Sequence, residues 1–146
     1  LMSNPLRDTL RIELPCDAKY LHAVRLAVAG AANRGGLTVQ DIEDLKVAVG
    51  EACNNCIEHA FDEEAVRSGS ARMRVTVIVG DGEVRVEVED EGRGFDPKHV
   101  ISALESQAPA SGNLGLYVIK QMTDYMHIES APGSGTKIVF VKRRSR

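Results

Sequence analysis

Gly50-Glu51-Ala52-Cys53-Asn54-Asn55-Cys56-Ile57-Glu58-His59-Ala60-Phe61 is the stretch from which the rest of the chain is read. On a helix, Glu51, Asn55 and His59 stand four residues apart. Each step of four turns only about 40° and climbs about 6 Å, so a carboxylate, an amide and an imidazole share one stripe. Upstream, Thr38 and Asp41 approximate a capping box, and Ile42, Leu45, Val49, Cys53, Cys56 and Ala60 recur at helical spacing, which predicts one long helix reaching Ala60. The polar stripe lies roughly 115° from the centre of that apolar face. It fits a solvated surface, or the edge of a cleft that holds a metal-bound phosphate, and this helix alone does not choose between them.

Working outward, Leu10-Arg11-Ile12-Glu13-Leu14 alternates and stops at Pro15, a short strand suited to a sheet edge. Asp17 is a candidate cap for a first helix marked by Leu21, Val24, Val28 and Ala31, with Arg25 beside the apolar stripe and Gly35-Gly36 at the end. After Phe61, the charged segment from Asp62 to Ser70 reads as a loop. Met73, Val75, Val77 and Val79 then alternate with polar residues, Asp81-Gly82 is a two-residue hairpin turn, and Val84, Val86 and Val88 continue to Asp90. One buried face on an antiparallel sheet follows.

The return strand runs into Asp90-Glu91-Gly92-Arg93-Gly94-Phe95, whose glycines allow positive φ and leave room for a flat ligand. The third glycine of a dinucleotide fingerprint is missing, and no Gly-Lys-Ser/Thr of a P-loop occurs. Ser102 to Asn113 is small and polar, as in a mobile flap. Ser111-Gly112-Asn113-Leu114-Gly115-Leu116 then opens a third helix with apolar positions Leu114, Val118, Ile119, Met122 and Met126, either an anion-binding N-terminus or an ordinary capped one. His127 to Ala131 and Thr136 to Val141 read as strands joined by Pro132-Gly133-Ser134-Gly135.

With 146 residues and 43% hydrophobic content, the chain suits one domain over 1–146, with 1–9 and 143–146 as disordered tails. A net charge of −3 and 4% aromatics argue against a dedicated nucleic-acid binder, and Lys142-Arg143-Arg144 with Arg146 reads as a frayed basic tail. Three cysteines, an odd number, suit a reducing compartment, and no apolar run or leader pattern speaks for a membrane, so a cytoplasmic location is expected. Cys53 and Cys56 read as buried small hydrophobes rather than zinc ligands.

The order of these signals resembles the GHKL (Bergerat-fold) ATPases, and among them the anti-sigma-factor serine kinases of the RsbW type. The resemblance runs from the Leu10 strand to Val141 and is tightest at Asp41 to Val49, Glu51-Ala52-Cys53, and Leu114-Gly115-Leu116-Tyr117. It implies an α/β two-layer sandwich, with helices on one face of a mixed, mainly antiparallel sheet, and an ATP and Mg²⁺ site. By position, Glu51 matches the general base, Asn55 the Mg²⁺ ligand and Asp90 the acceptor for the adenine amino group. Gly92 and Gly94 would admit the base, Gly112, Asn113, Leu114, Gly115 and Leu116 would cradle phosphates, and Thr136 would complete the adenine site. Arg25 matches a first-helix arginine at the partner surface. The implied function is a Mg-ATP-dependent serine-protein kinase and anti-sigma factor that captures a sigma factor, phosphorylates a small anti-anti-sigma protein of the STAS type and forms a homodimer. The alternatives are an ATP-binding partner switch without phosphotransfer and the catalytic domain of a sensor histidine kinase. Two departures stand out: Asn113 replaces a common glycine, and Ser102 to Leu114 holds no Lys or Arg where related lids bring a basic side chain to the γ-phosphate.

Overall fold

Strict alternation of side chains builds the sheet. In the computed structural model, which describes residues 8–105 and 114–146, strands β1 (Asp8–Pro15), β2 (Arg72–Gly80), β3 (Glu83–Asp90), β4 (Tyr125–Ser130) and β5 (Thr136–Arg143) are ordered β1-β2-β3-β5-β4. Every described pairing is antiparallel, so the sheet expected as mainly antiparallel is wholly so among these residues. Asp81-Gly82 makes the tight β2–β3 turn, with Gly80 opposite Glu83 and Gly82 at φ 76°. The register sets Val75, Val77 and Val79 across from Val88, Val86 and Val84, and Val86 and Val88 across from Phe140 and Ile138. All of them are buried.

Helices cover that apolar face. Val24 and Val28 of α1 (Leu21–Arg34), Leu45, Val49 and Cys53 of α2 (Val39–Asn55), and Leu116 and Ile119 of α5 (Leu114–Met122) join the strand residues in one core. Between them in sequence lie α3 (Glu63–Ser68) and α4 (Pro97–Glu105). Helix α2 packs against α1 on one side and α5 on the other, and also touches β3 and β5. The opposite face of the sheet is polar, with Glu87 taking Arg85 at 2.9 Å and Lys137 at 3.4 Å.

Several expectations are corrected. Helix α2 ends at Asn55 and continues as a π-helical turn over Cys56–Ala60, so the uniform 3.6-residue period fails where the polar stripe ends. The segment read as a loop contains α3, because Asp62 accepts the Ala65 N–H at 2.8 Å and Gly69 closes the turn at φ 79°. Ser102 to Glu105, read as the start of a flap, belongs to α4, and the remainder to Asn113 lies outside the described residues. Met126 sits in β4 rather than α5, and Leu114 is 61% exposed while Leu116 faces the core. Asp17 caps a short 3₁₀ turn at Ala18–Tyr20 ahead of α1.

Of the disordered tails expected at 1–9 and 143–146, residues 1–7 lie outside the described residues, and the rest is held in place. Asp8 already pairs with Val79, and β5 runs through Arg143. Beyond it, the Arg144 N–H reaches the Gly82 carbonyl at 2.9 Å, while Lys142 bonds Asp44 at 3.1 Å and the Met122 carbonyl at 2.9 Å. The buried Asp41 carboxylate accepts the Thr38 N–H at 3.1 Å, the Ser145 N–H at 2.9 Å and the Ser145 hydroxyl. One side chain thus closes the capping box of α2 and holds the C-terminal segment.

Burial alone would raise the Asp41 carboxyl, but the hydrogen bonds from Ser145 and Thr38 outweigh it and hold it at about 2, below its ordinary 3.8. A lowered carboxyl stabilises the fold only while ionised. Its contribution is complete above pH 3.8 and is lost as pH falls towards 2. Asp41→Ala should therefore destabilise the protein by roughly 1–2 kcal/mol at neutral pH, and thermal denaturation against pH should show a flatter acid limb in the variant.

Candidate functional site

Helix α2 brings two of the expected polar residues to one wall of a cleft. Glu51 and Asn55 are half-buried, and with the exposed His59 they face Leu114, Gly115 and Leu116 at the first turn of α5 across a space of about 250 Å³. The π turn does not break the stripe apart, since all three line the same cleft. A second space of about 310 Å³ shares Asn55, His59 and Leu116 and extends to Arg93 and Phe95. A larger groove, about 470 Å³, lies between α4 and β4 and holds none of the expected residues. Donor chemistry, not size, therefore assigns the site to the α2–α5 cleft.

Glu51 is aimed at α5. A Cβ on Gly115 would lie 2.9 Å from Glu51 Oε1, so glycine there lets the carboxylate approach the backbone of the helix's first turn. Leu114 to Leu116, the first turn of α5, line the cleft, and the N-terminal end of a helix is an environment suited to phosphate oxygens. Gly112 and Asn113, the other expected cradle residues, lie outside the described residues.

Asp90 closes the far end of β3 and is only 7% exposed. Its Oδ1 accepts the Gly92 N–H at 2.8 Å, and its Oδ2 accepts the thiol of Cys56 at 3.3 Å. Burial pushes its carboxyl up, and the hydrogen bonds from Gly92, Cys56 and Thr136 oppose the rise. Burial also pushes the Cys56 thiol well above its ordinary value, with the Asp90 carboxylate adding to it, so Cys56 stays a neutral donor. Thr136 faces Asp90 across the β3–β5 pair. The Ser130 hydroxyl contacts the Thr136 hydroxyl at 2.8 Å, donates to the Gly135 carbonyl at 3.0 Å and accepts the Phe95 N–H at 2.9 Å.

The glycines also have a packing role. In the direction a side chain would take, the space beside each is filled by backbone: a Cβ on Gly92 would fall on the Ala60 carbonyl oxygen, and one on Gly94 on the Ala131 carbonyl. Gly94 alone of the two has positive φ, 63°. The Ala60 carbonyl also accepts the Arg93 N–H at 2.8 Å, and the Arg93 carbonyl accepts the Gly133 N–H at 2.6 Å. These glycines weld the loop to the end of the π turn and to the β4–β5 turn.

Arg25 is half-buried against α2. A side chain at Gly50 would collide with its guanidinium, which places it beside the residue before Glu51. Reading by sequence missed Asn54 and Glu58, which line the cleft, Arg93 in the adjoining space, and Ser130. It also counted Cys56 as purely apolar. Asn54 and Glu58 repeat the spacing of four, one residue off the stripe that was followed. Ser130 carries no local signal, because its partners come from the loop after β3 and from the far side of the β4–β5 turn.

The profile of the histidine kinase-like ATPase domain family matches residues 14–142. The chain is 33% identical to the serine-protein kinase RsbW of Bacillus velezensis over 143 residues, covering 92% of this chain and 85% of the relative. It is 32% identical to the serine-protein kinase RsbW of Bacillus subtilis, covering 86% and 81%. Among solved structures, the crystal structure of the RsbU and RsbW domains of a Mycobacterium tuberculosis protein superposes with a TM-score of 0.67 at 24% identity. That likeness covers 95% of this chain and 32% of the other, and it concerns the fold alone.

Because backbone occupies the space beside Gly92, Gly92→Ala should destabilise the protein by about 1–3 kcal/mol, the scale of an overpacked site. Gly115→Ala needs only the flexible end of Glu51 to move and should stay within about 0.5 kcal/mol of the parent. Urea unfolding midpoints of the two variants check the contrast.

Proposed function

The chain belongs to the family of histidine kinase-like ATPase domains, and from that premise we propose that it is a Mg-ATP-dependent serine-protein kinase and anti-sigma factor. It captures a sigma factor and phosphorylates a small anti-anti-sigma protein of the STAS type, acting in the cytoplasm as a homodimer. The observation that carries this reading is the placement of Glu51 one turn before Asn55, with its carboxylate against the first turn of α5 at Gly115.

The roles follow from the chemistry of each group. A serine hydroxyl is a weak nucleophile, and Glu51 accepts its proton as it attacks the γ-phosphate. Leu114, Gly115 and Leu116 offer backbone N–H groups to phosphate oxygens. Asn55 would supply one hard oxygen to Mg²⁺. When bound, Mg²⁺ spreads the charge that develops on the transferred group. Asp90 accepts from the adenine amino group, and Thr136 completes that end of the site. Among the described residues no helix is long and apolar enough to cross a membrane. Arg25, resting on α2 beside the catalytic end, links partner capture to the nucleotide site.

Glu51→Gln should preserve ATP binding while lowering serine phosphorylation by about two to four orders of magnitude, the usual contribution of a positioned base. Asn55→Ala should weaken ATP binding only when Mg²⁺ is present. Arg25→Ala should spare nucleotide binding and weaken sigma-factor capture. Calorimetry, phosphate transfer to the STAS-type partner and sigma-factor pull-down on the three variants separate these roles. Wild-type transfer by Glu51→Gln would remove Glu51 from the mechanism, and a parent protein that binds ATP yet never transfers phosphate would leave an ATP-gated binding module in place of a kinase.

A further inference from the structure

We propose that Cys56 is a positioning residue that holds the Asp90 carboxylate in the orientation that reads adenine, and so contributes to the selection of ATP over GTP. The inference rests on the adenine-binding reading of Asp90 above and extends it to a residue in neither the polar stripe nor the glycine loop.

The geometry is specific. Asp90 stands at the end of β3, where its two oxygens need separate partners if the carboxylate is not to turn about its Cβ–Cγ bond. Gly92 fixes Oδ1 through its N–H at 2.8 Å, and the thiol of Cys56 fixes Oδ2 at 3.3 Å, a normal length for a sulfur donor. Cys56 is 1% exposed, so no water competes for its proton or replaces it. It is the first residue of the π turn, and the change from α to π at that residue coincides with the point where a side chain of α2 must meet the end of β3. The register of the helix end is therefore coupled to the base-reading carboxylate.

Orientation matters because the two purines differ at one position. Adenine presents an amino donor, and guanine presents a carbonyl. A carboxylate held with both oxygens as acceptors attracts the first and repels the second, and an unpaired acceptor facing another is what gives a polar site its selectivity. Without the thiol, Oδ2 has one donor fewer, and the buried carboxyl turns or protonates more readily. A protonated carboxyl offers an O–H to the guanine carbonyl. Loss of Cys56 should thus weaken ATP binding and relax discrimination together.

The test compares the parent protein with Cys56→Ala, Cys56→Val, Cys56→Ser and Asp90→Asn. ATP and GTP affinities are measured by competition against a fluorescent ATP analogue in the presence of Mg²⁺, with the thermal midpoint of each variant recorded. Cys56→Ala should lose about two- to tenfold in ATP affinity, the worth of one hydrogen bond, with GTP affinity unchanged or raised. Cys56→Val, which fills the space without a donor, should lower the ATP-to-GTP ratio similarly and serves alone if the alanine variant does not fold. Cys56→Ser should restore the ratio. The proposal is overturned if Ala and Val keep the parent's ratio within about twofold while Asp90→Asn lowers it, since Cys56 then only fills space, or if a folded Cys56→Ser fails to restore it. If the parent itself does not prefer ATP and Asp90→Asn changes nothing, the reading of Asp90 falls, and this proposal with it.

Discussion

The carbonyl oxygen of Ala60, seated against Gly92, is the contact on which the rest of the site depends. It ends the π turn after α2, accepts the Arg93 N–H, and lies where any side chain at position 92 would have to be. Through it, the helix that carries Glu51 and Asn55 is locked to the loop that follows Asp90. The same loop is held from the other side by the Gly133 N–H on the Arg93 carbonyl, and by Ala131 and Gly135 packed on Gly94. Three chain segments distant in sequence are thereby fixed with little slack, because backbone packed on backbone cannot relax as a side chain can. A nucleotide bound between α2, β3 and α5 would meet a frame that is already assembled, which lowers the cost of ordering it.

A central helix makes this possible. Helix α2 buries Leu45, Val49 and Cys53 in the core shared with the sheet, and packs between α1 and α5. Only its flank is left for polar chemistry. At its start the capping box and Ser145 hold it, and at its end the π turn and Cys56 hold it. Both ends are thus anchored by residues far off in sequence. The polar stripe therefore sits on a rigid element.

The charge pattern of the cleft and the space adjoining it is mainly acidic, with Glu51, Glu58 and Asp96 against Arg93. An anionic ligand in such a site would gain from an accompanying cation, and Asn55 is the neutral oxygen donor on the same wall. The three cysteines lie in the interior behind this cleft, and burial holds Cys16 at about 11 and Cys53 at about 12. They are neutral thiols, poor nucleophiles, and their role is packing and, at Cys56, donation of a hydrogen bond.

Features that depend on neighbours along the chain were legible from the residues alone. Period-two alternation in β2 and β3, the Asp81-Gly82 turn and the Thr38–Asp41 cap are local, and each is found where the residues placed it. The polar stripe of Glu51, Asn55 and His59 was legible for the same reason, and the order of motifs named the family. Tertiary structure alone decided the rest. The π turn at Cys56, the extension of β5 through Arg143 and the strapping of Ser145 to Asp41 arise from partners 34 to 104 residues away, and no periodicity encodes them. The glycines of the Asp90 loop were visible as glycines, but only the folded chain shows the backbone that a side chain there would meet. Cys56 was counted with the apolar face because helical spacing reports burial and says nothing of what a buried thiol touches. That contact exists only once β3 has been brought to the end of α2.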